Sequence, residues 1–226
     1  MEKQLLILEH PPLTDEEILA AVRMEGEDAD EEDVRRVLEL AEEAAAVARP
    51  KAVFGEVAVD GRGADWVSLG GVLVHSEMVR NNLAQVERVH PYVCTCGTEA
   101  EAWSLTVNDP LEEFWVDAIK LLLLGKATAR LNEAVAEQYY PDGHKAQMNP
   151  GSLKEWPLTA QRELFAVIGG VEETVGVRLT DSCLMLPSKS TSGFFFRSED
   201  GFVNCAFCPI LTCPNRRAPY QQEMAF

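Results

Sequence analysis

The sequence predicts a globular fold of mixed helices and strands, and three observations carry that prediction. Strand-like runs such as "AVFGEVAVDGRG" from Ala52 and "VRLTDSCLMLPSKSTSGFFFRSEDGFVNCAF" from Val177 alternate with segments whose apolar residues recur at three- and four-residue spacing. One helical segment, "NDPLEEFWVDAIKLLLLGKATARLNEAVAEQYYP", is far longer than the others. A hydrophobic content of 46% in 226 residues is enough to bury a core in one large domain or two small lobes.

In chain order, Leu5 to Leu8 reads as a first strand, too short for the core of a signal peptide. Thr14 with Glu17 three residues on forms a capping box, followed by Ile18, Leu19 and Val22 on one helical face. The acidic "EGEDADEED" (25–33) is a solvated turn whose charge suits the start of the next helix. That helix carries Val34, Val37, Leu38, Ala41 and Ala45 and stops at Pro50. A strand from Ala52 ends at Gly61 and Gly63, "VSLGGVLVHS" supplies another strand-like segment, and "SEMVRNNLAQ" is a helix. "RVHPYVCTCG" returns to strand before a helix that starts at Thr98.

The long helix has Asp109 as its cap, Pro110 at its first position, and Phe114, Trp115, Ile119, Leu122 and Leu123 on more than one face. It is therefore expected to run through the centre of the domain and to end at Pro141, with Gly125 as a point of bending. The stretch "KAQMNPGSLKEWPLTAQRELF" then reads as a loop with an exposed-looking Trp156, a Pro150-Gly151 turn, and a helix capped by Thr159 and closed at Gly169-Gly170. The last third is expected to be strands joined by Ser- and Gly-rich turns. One unit spans residues 1–226, with a cysteine-rich C-terminal segment over 201–226, and no repeat or long linker is evident.

Thirty-seven acidic against twenty basic residues give a formal charge of −17, a field that repels phosphate backbones and anionic membrane surfaces, so nucleic acid and membrane are not expected as partners. The apolar run Leu121 to Leu124, like every other in the chain, is far below the ~20 residues that cross a bilayer. The protein is expected in the cytoplasm with its six cysteines reduced.

"NCAFCPILTCPNRR" sets Cys205, Cys208 and Cys213 at C-x2-C-x4-C spacing, close enough in sequence for three thiolates to meet on one zinc ion or iron–sulfur cluster. A fourth ligand is left open among Cys94, Cys96, Cys183, a non-cysteine group and no protein ligand at all. Cys94 and Cys96 alternate along a strand and so share a face, where they are metal ligands or small core residues. His10, His75, His90 and His144 show no metal-ligand spacing, and no Walker loop, nucleophile elbow or dinucleotide fingerprint is present. Lys189, among the serines of "PSKSTSG", belongs to a polar loop able to donate hydrogen bonds to a ligand carboxylate or phosphate, or to a satisfied hairpin turn.

The ordered pieces "ARLNEAVAEQYY", "NPG", "WPL..Q..LF" and "VGVRLTDSCLMLPSKSTSGFFF" resemble the reactivation domain of cobalamin-dependent methionine synthase and its stand-alone relatives, from Leu111 to about Asp200. The resemblance implies an α+β fold, a twisted, largely antiparallel sheet with packed helices. It implies binding of S-adenosylmethionine, whose methyl group is presented to a corrinoid in its inactive cob(II) state. Because the chain carries no D-x-H-x-x-G run, the cobalamin would come on a partner methyltransferase, with an electron donor such as flavodoxin.

Carried over residue by residue, Glu133 matches the family's acidic residue in the adenosylmethionine pocket, a carboxylate suited to lie beside a sulfonium. The family's Arg-x-x-Pro-Gly-Tyr loop corresponds to Gln147, Asn149, Pro150, Gly151 and Ser152: the turn is kept, while the arginine and the tyrosine are replaced. Gln147 hydrogen-bonds a carboxylate without a charged bidentate pair, a loss worth ~1.5–3 kcal/mol. Phe202 stands nearest to a second family tyrosine, and Lys189 restores the missing charge if its loop meets the Gln147 loop. The tail "CAFCPILTCPNRRAPY" is not part of that domain and points to a specialised branch; the alternative to an accessory methyl-transfer protein is a metal-binding or electron-transfer module on the same fold.

Overall fold

In a computed structural model, residues 2–9, 12–26, 29–199, 201–213, 216 and 218–221 are described. The N-terminal part comprises β1 (Glu2–Ile7), α1 (Asp15–Val22), α2 (Glu31–Val47), β2 (Lys51–Arg62), β3 (Trp66–Leu69) and β4 (Val72–His75). The middle comprises α3 (Glu77–Asn82), β5 (Arg88–Thr95), α4 (Thr98–Ser104), α5 (Pro110–Tyr139) and β6 (Lys145–Met148). A 3-10 turn at Leu158–Ala160 then leads into α6 (Gln161–Ile168), α7 (Val171–Val175), β7 (Arg178–Leu179), β8 (Met185–Leu186), β9 (Ser190–Arg197) and α8 (Asn204–Phe207).

Seven strands form one sheet in the order β4-β3-β2-β5-β9-β6, with β1 added on β2, and every paired neighbour is antiparallel. β2 is long enough to serve two neighbours on one edge: Lys51 to Glu56 pair with β1, and Val59 to Arg62 pair with β3 beyond a register shift. Pro91 of β5 has no N–H to give, and it falls in the gap between the pairs Phe54↔Tyr92 and Val57↔Val89, facing β9 at Phe194 instead.

Both faces of the central strands are dry. Val53, Val57, Val89, Val93, Phe194 and Phe196 point to one core, shared with α3, α6 and α7. Ala52, Phe54, Tyr92, Cys94 and Phe195 point to the other, under α1, α2, α4 and α5. Period-two alternation thus sends side chains to two apolar layers, which is why the strands read as nearly continuous hydrophobic runs.

The helix starts follow the sequence closely. Thr14 and Glu17 form the capping box, while Asp30 and Asp109 cap α2 and α5 through backbone N–H groups. The buried stripe of α2 is Val37, Leu40, Ala41 and Ala44, slightly rotated from the expected one. α5 is a continuous 30-residue helix, yet it covers one face of the sheet rather than threading the centre: Trp115, Ile119 and Leu123 are buried and Phe114 is 56% exposed.

Several local expectations are corrected. Trp156 is 1% exposed and packs on Phe194 with ring centroids 5.1 Å apart, so the aromatic plugs the core. Lys145–Met148 is not loop but the edge strand β6, because Ala146 and Met148 alternate into the core. "VSLGGVLVHS" is a hairpin of two strands turned at Gly70-Gly71, Thr159 lies inside a 3-10 turn rather than at a cap, and Val171–Val175 adds a short helix. Residues after Val203 turn into α8 instead of continuing as strand. No helix among the described residues is long and apolar enough to cross a membrane.

His90 on β5 is 5% exposed, stacks on Tyr139 at 3.8 Å, and has Nδ1 2.5 Å from the Tyr140 hydroxyl. Burial lowers its pKa, opposed by the Glu56 carboxylate 3.6 Å from Nε2. The unfolded chain therefore binds more protons than the folded one from about pH 6.5 down to the folded value, and stability falls as pH drops through that window. In urea unfolding followed against pH, His90→Gln is expected to show a shallower loss of stability below about pH 6.5 than the parent. Trp156→Ala is expected to cost about 3–5 kcal/mol in the same assay, whereas Phe114→Ala stays within about 0.5 kcal/mol.

Candidate functional site

Where β6 ends, the chain leaves the sheet at Asn149 and turns at Pro150-Gly151. Gly151 has φ +82, a backbone conformation that glycine adopts without a Cβ penalty, and its N–H donates to the Trp156 carbonyl at 2.8 Å. Buried Trp156 therefore anchors the loop, and Ser76 Oγ holds its far side by donating to the Glu155 carbonyl at 2.8 Å. The loop forms one wall of a cleft of about 910 Å³. α5 provides the second wall through Leu121, Gly125, Thr128, Ala129 and Asn132, and the start of β9 gives Ser190, Thr191 and Ser192. The fourth side is the C-terminal segment, with Asn204, Cys205, Cys208, Cys213 and Arg216.

An amide and hydroxyl network supports this cleft. Tyr92 is fully buried, and burial pushes its phenol up to about 12, so it stays neutral. Its oxygen takes hydrogen bonds from the side-chain amides of Gln147 and Asn149, the latter at 2.7 Å, and Asn149 also donates to the Ser192 carbonyl at 2.7 Å. Ser192 Oγ donates to Gln161 Oε1 at 2.8 Å, and Asn204 Nδ2 reaches Asn149 Oδ1 at 3.3 Å. Asn204 is 5% exposed and its Oδ1 is a buried acceptor without a hydrogen-bond partner, a group that a ligand donor would satisfy. The network closes because position 193 is glycine: a Cβ there would lie 2.3 Å from the Met148 carbonyl oxygen and 2.6 Å from Asn149 Nδ2.

Arg216 is the one charged side chain among the described residues lining the cleft, in a chain of net charge −17. Its guanidinium fans over the tail, donating to the carbonyls of Cys205, Cys208 (2.6 Å), Ile210 (2.9 Å) and Ala218 (3.1 Å). A polar pocket with one cation and patches of Leu121, Leu124 and Met185 suits a ligand with an apolar ring, several hydroxyls and an anionic end.

Of the residues singled out in the sequence, the fold brings together Gln147, Asn149, Pro150, Gly151, Ser152, Cys205, Cys208 and Cys213 on this one cleft. Five others stand apart from its lining. Glu133 is exposed on the next strip of α5 and pairs with Arg130 one turn away. Lys189 does not supply the missing charge, because its ammonium pairs with Asp117 at 2.8 Å. Phe202 stacks on Phe207 at 5.7 Å and packs against the sheet core.

Cys94 and Cys96 do share a face, but it is the core under α5; burial pushes their thiols up to about 12 and about 11, against the thiolate form a metal needs. Cys183 is likewise buried. Among the described residues no three His, Cys, Asp or Glu side chains are grouped to hold a metal ion. His75 is exposed, His144 meets Glu199 at 3.0 Å, and His10 lies outside the described residues, as do Pro214, Asn215 and Arg217 of the tail. Sequence reasoning missed Tyr92, Thr128, Asn132, Gln161, Asn204 and Arg216. Only Arg216 carried a signal, as a cation in the quoted cysteine tail; the others are polar residues within helical or strand patterns.

No protein-family model and no curated protein matches this chain. Among solved structures it is similar to the MetH reactivation domain bound to AdoHcy, with a TM-score of 0.67 and 16% sequence identity over 90% of this chain and 80% of that one. At that identity the likeness establishes a shared fold, the mixed helix and antiparallel-sheet architecture expected from the sequence.

Two measurements test this geometry. In metal-free protein, Cys205, Cys208 and Cys213 are expected to react rapidly with a disulfide reagent, while Cys94, Cys96 and Cys183 react only after denaturation. Gly193→Ala is expected to lose about 1–3 kcal/mol of stability in urea unfolding through overpacking against Asn149 and the Met148 carbonyl.

Proposed function

We propose that the cleft binds S-adenosylmethionine and presents its methyl group to a corrinoid carried by a partner methyltransferase, making the chain an accessory protein of corrinoid-dependent methyl transfer. One observation carries the reading: the Gln147–Ser152 loop, the face of α5 and the start of β9 converge on one cleft. They are the pieces on which the sequence resemblance rests, and the fold is shared with a domain solved with AdoHcy. The corrinoid would supply the reduced cobalt that accepts the methyl group, with the electron delivered by a separate donor of the flavodoxin type. This chain's own residues bind, orient and shield the donor.

In this reading Leu121, Leu124 and Met185 take the adenine, and the hydroxyls and amides of Ser190 to Ser192, Asn149 and Asn132 take the ribose. The buried Asn204 Oδ1 accepts from the ligand's ammonium, and Arg216, whose terminal nitrogens are held by tail carbonyls, offers the ligand's carboxylate a nearby charge rather than a bidentate pair. Glu133 faces the sulfonium only by leaving Arg130, an exposed i,i+3 partner whose hold is weak. Exposed Ala129, on the cleft face of α5, gives a way to fill the pocket without touching the core.

Calorimetric titration of anaerobic, metal-free protein with S-adenosylmethionine is expected to show binding. Ala129→Trp is expected to weaken it at least about tenfold, or 1.4 kcal/mol, with an unchanged circular dichroism spectrum. Absence of binding by the parent at millimolar ligand, or unaltered affinity in the filled variant, rejects this site.

A further inference from the structure

The apolar arc of α2 is wider than the core that covers it. Val37, Leu40, Ala41 and Ala44 are buried, whereas Val34 and Leu38, one turn apart on the adjoining strip, are half-buried. They share a groove with the end of α1. There Arg23 takes a left-handed conformation (φ 61) and the chain turns back, with the Met24 N–H donating to the Leu19 carbonyl at 2.9 Å and the Arg23 N–H to that of Ala20 at 3.2 Å. This Schellman turn sets Met24 beside half-buried Leu19. Leu19, Met24, Val34 and Leu38 form the floor of a groove of about 720 Å³.

The rim of the groove has one dominant sign. Exposed Glu16, Glu25, Glu31, Glu39 and Glu42 border the floor against a single cation, Arg35, and no Lys or Arg occurs in sequence between Arg23 and Arg35. Arg35 leans to Glu32 at 3.9 Å and Glu39 pairs with Arg36 at 3.4 Å, while Glu16, Glu25, Glu31 and Glu42 meet no cation among the described residues. A partner of opposite sign relieves the repulsion along such a rim and covers the floor at the same time.

We propose that the groove between α1 and α2 docks a basic amphipathic helix of a partner protein, its apolar ridge on the floor and its Lys and Arg residues on the rim. The occupant's conformation follows from the walls. Both are helices whose interior backbone groups are paired within the helix, so an extended peptide would find no main-chain partner there, while a helix arrives with its own backbone bonds made. The occupant's charge follows from the rim, which repels nucleic acid, anionic membrane and a second copy of this chain, itself of net charge −17. The groove shares no lining residue with the cleft, so the inference does not rest on the methyl-donor reading.

The test uses the full-length chain and a fluorescein-labelled synthetic peptide of Leu and Lys whose leucines recur at three- and four-residue spacing. Binding is followed by fluorescence anisotropy at about 0.15 M salt, where long-range attraction is screened. The patterned peptide is expected to bind at least about tenfold more tightly than a scrambled peptide of the same composition. Glu25→Lys combined with Glu42→Lys, folded by circular dichroism, is expected to weaken binding at least about tenfold. Asp60→Lys combined with Asp65→Lys changes the net charge equally at exposed positions outside the groove and is expected to leave binding unchanged. In protein labelled at its methionine methyl groups, the Met24 resonance is expected to shift on adding peptide while that of Met185, in the cleft, stays. Absence of binding, equal binding of the scrambled peptide, equal losses in the two charge-reversed variants, or a Met24 resonance that does not move overturns the docking groove.

Discussion

Everything else in this fold follows from the need to keep both faces of β5 and β9 dry. These strands lie side by side in the middle of the sheet, and alternate residues of each point into two different cores. Phe194, Phe195 and Phe196 are consecutive and all nearly inaccessible, which is possible only if helices cover the sheet above and below. α5 with α1, α2 and α4 closes one side, and α3, α6 and α7 close the other. Polar groups caught inside must then find partners. The buried Lys120 does so with Glu101 at 2.9 Å and Ser104 at 2.7 Å, and Tyr92 does so with Gln147 and Asn149.

The cleft forms where this double burial runs out. At the ends of β6 and β9 the two layers part, and the gap is lined by groups anchored in them: Thr128 from the helix layer, Ser192 and Gln161 from the other side, and the turn pinned by Trp156. A pocket built on such anchors is held by the core rather than by its own loops. The glycine at 193 is part of the same design, since it lets the Asn149 amide and the Met148 carbonyl approach the sheet closely.

Charge distribution separates this cleft from the rest of the molecule. Many of the described acids cap helices or meet cations at the surface, as in the bidentate contact of Arg36 with Glu112, and none stands on the described cleft wall. The result is a polar cavity with one guanidinium and three thiols inside an acidic protein. Such a cavity distinguishes ligands by shape, hydrogen bonding and sulfur affinity more than by long-range attraction.

What the sequence by itself determined is local and periodic. Thr14, Asp30 and Asp109 announce their helices because a cap is a contact between near neighbours, and the Gly169-Gly170 stop follows from backbone geometry alone. The ordered motif string also located the Pro150-Gly151 turn that lines the cleft. What only the tertiary structure decided is which surfaces meet. Trp156 looks exposed beside prolines and polar residues until α6 and β9 enclose it; Lys189 looks like a ligand group until α5 brings Asp117 to it. Asn204 and Arg216 gain their positions from a tail folding across a cleft whose other walls come from residues between Leu121 and Ser192. Burial and charge pairing depend on distances through space, and sequence spacing fixes those distances only within a helix or a strand.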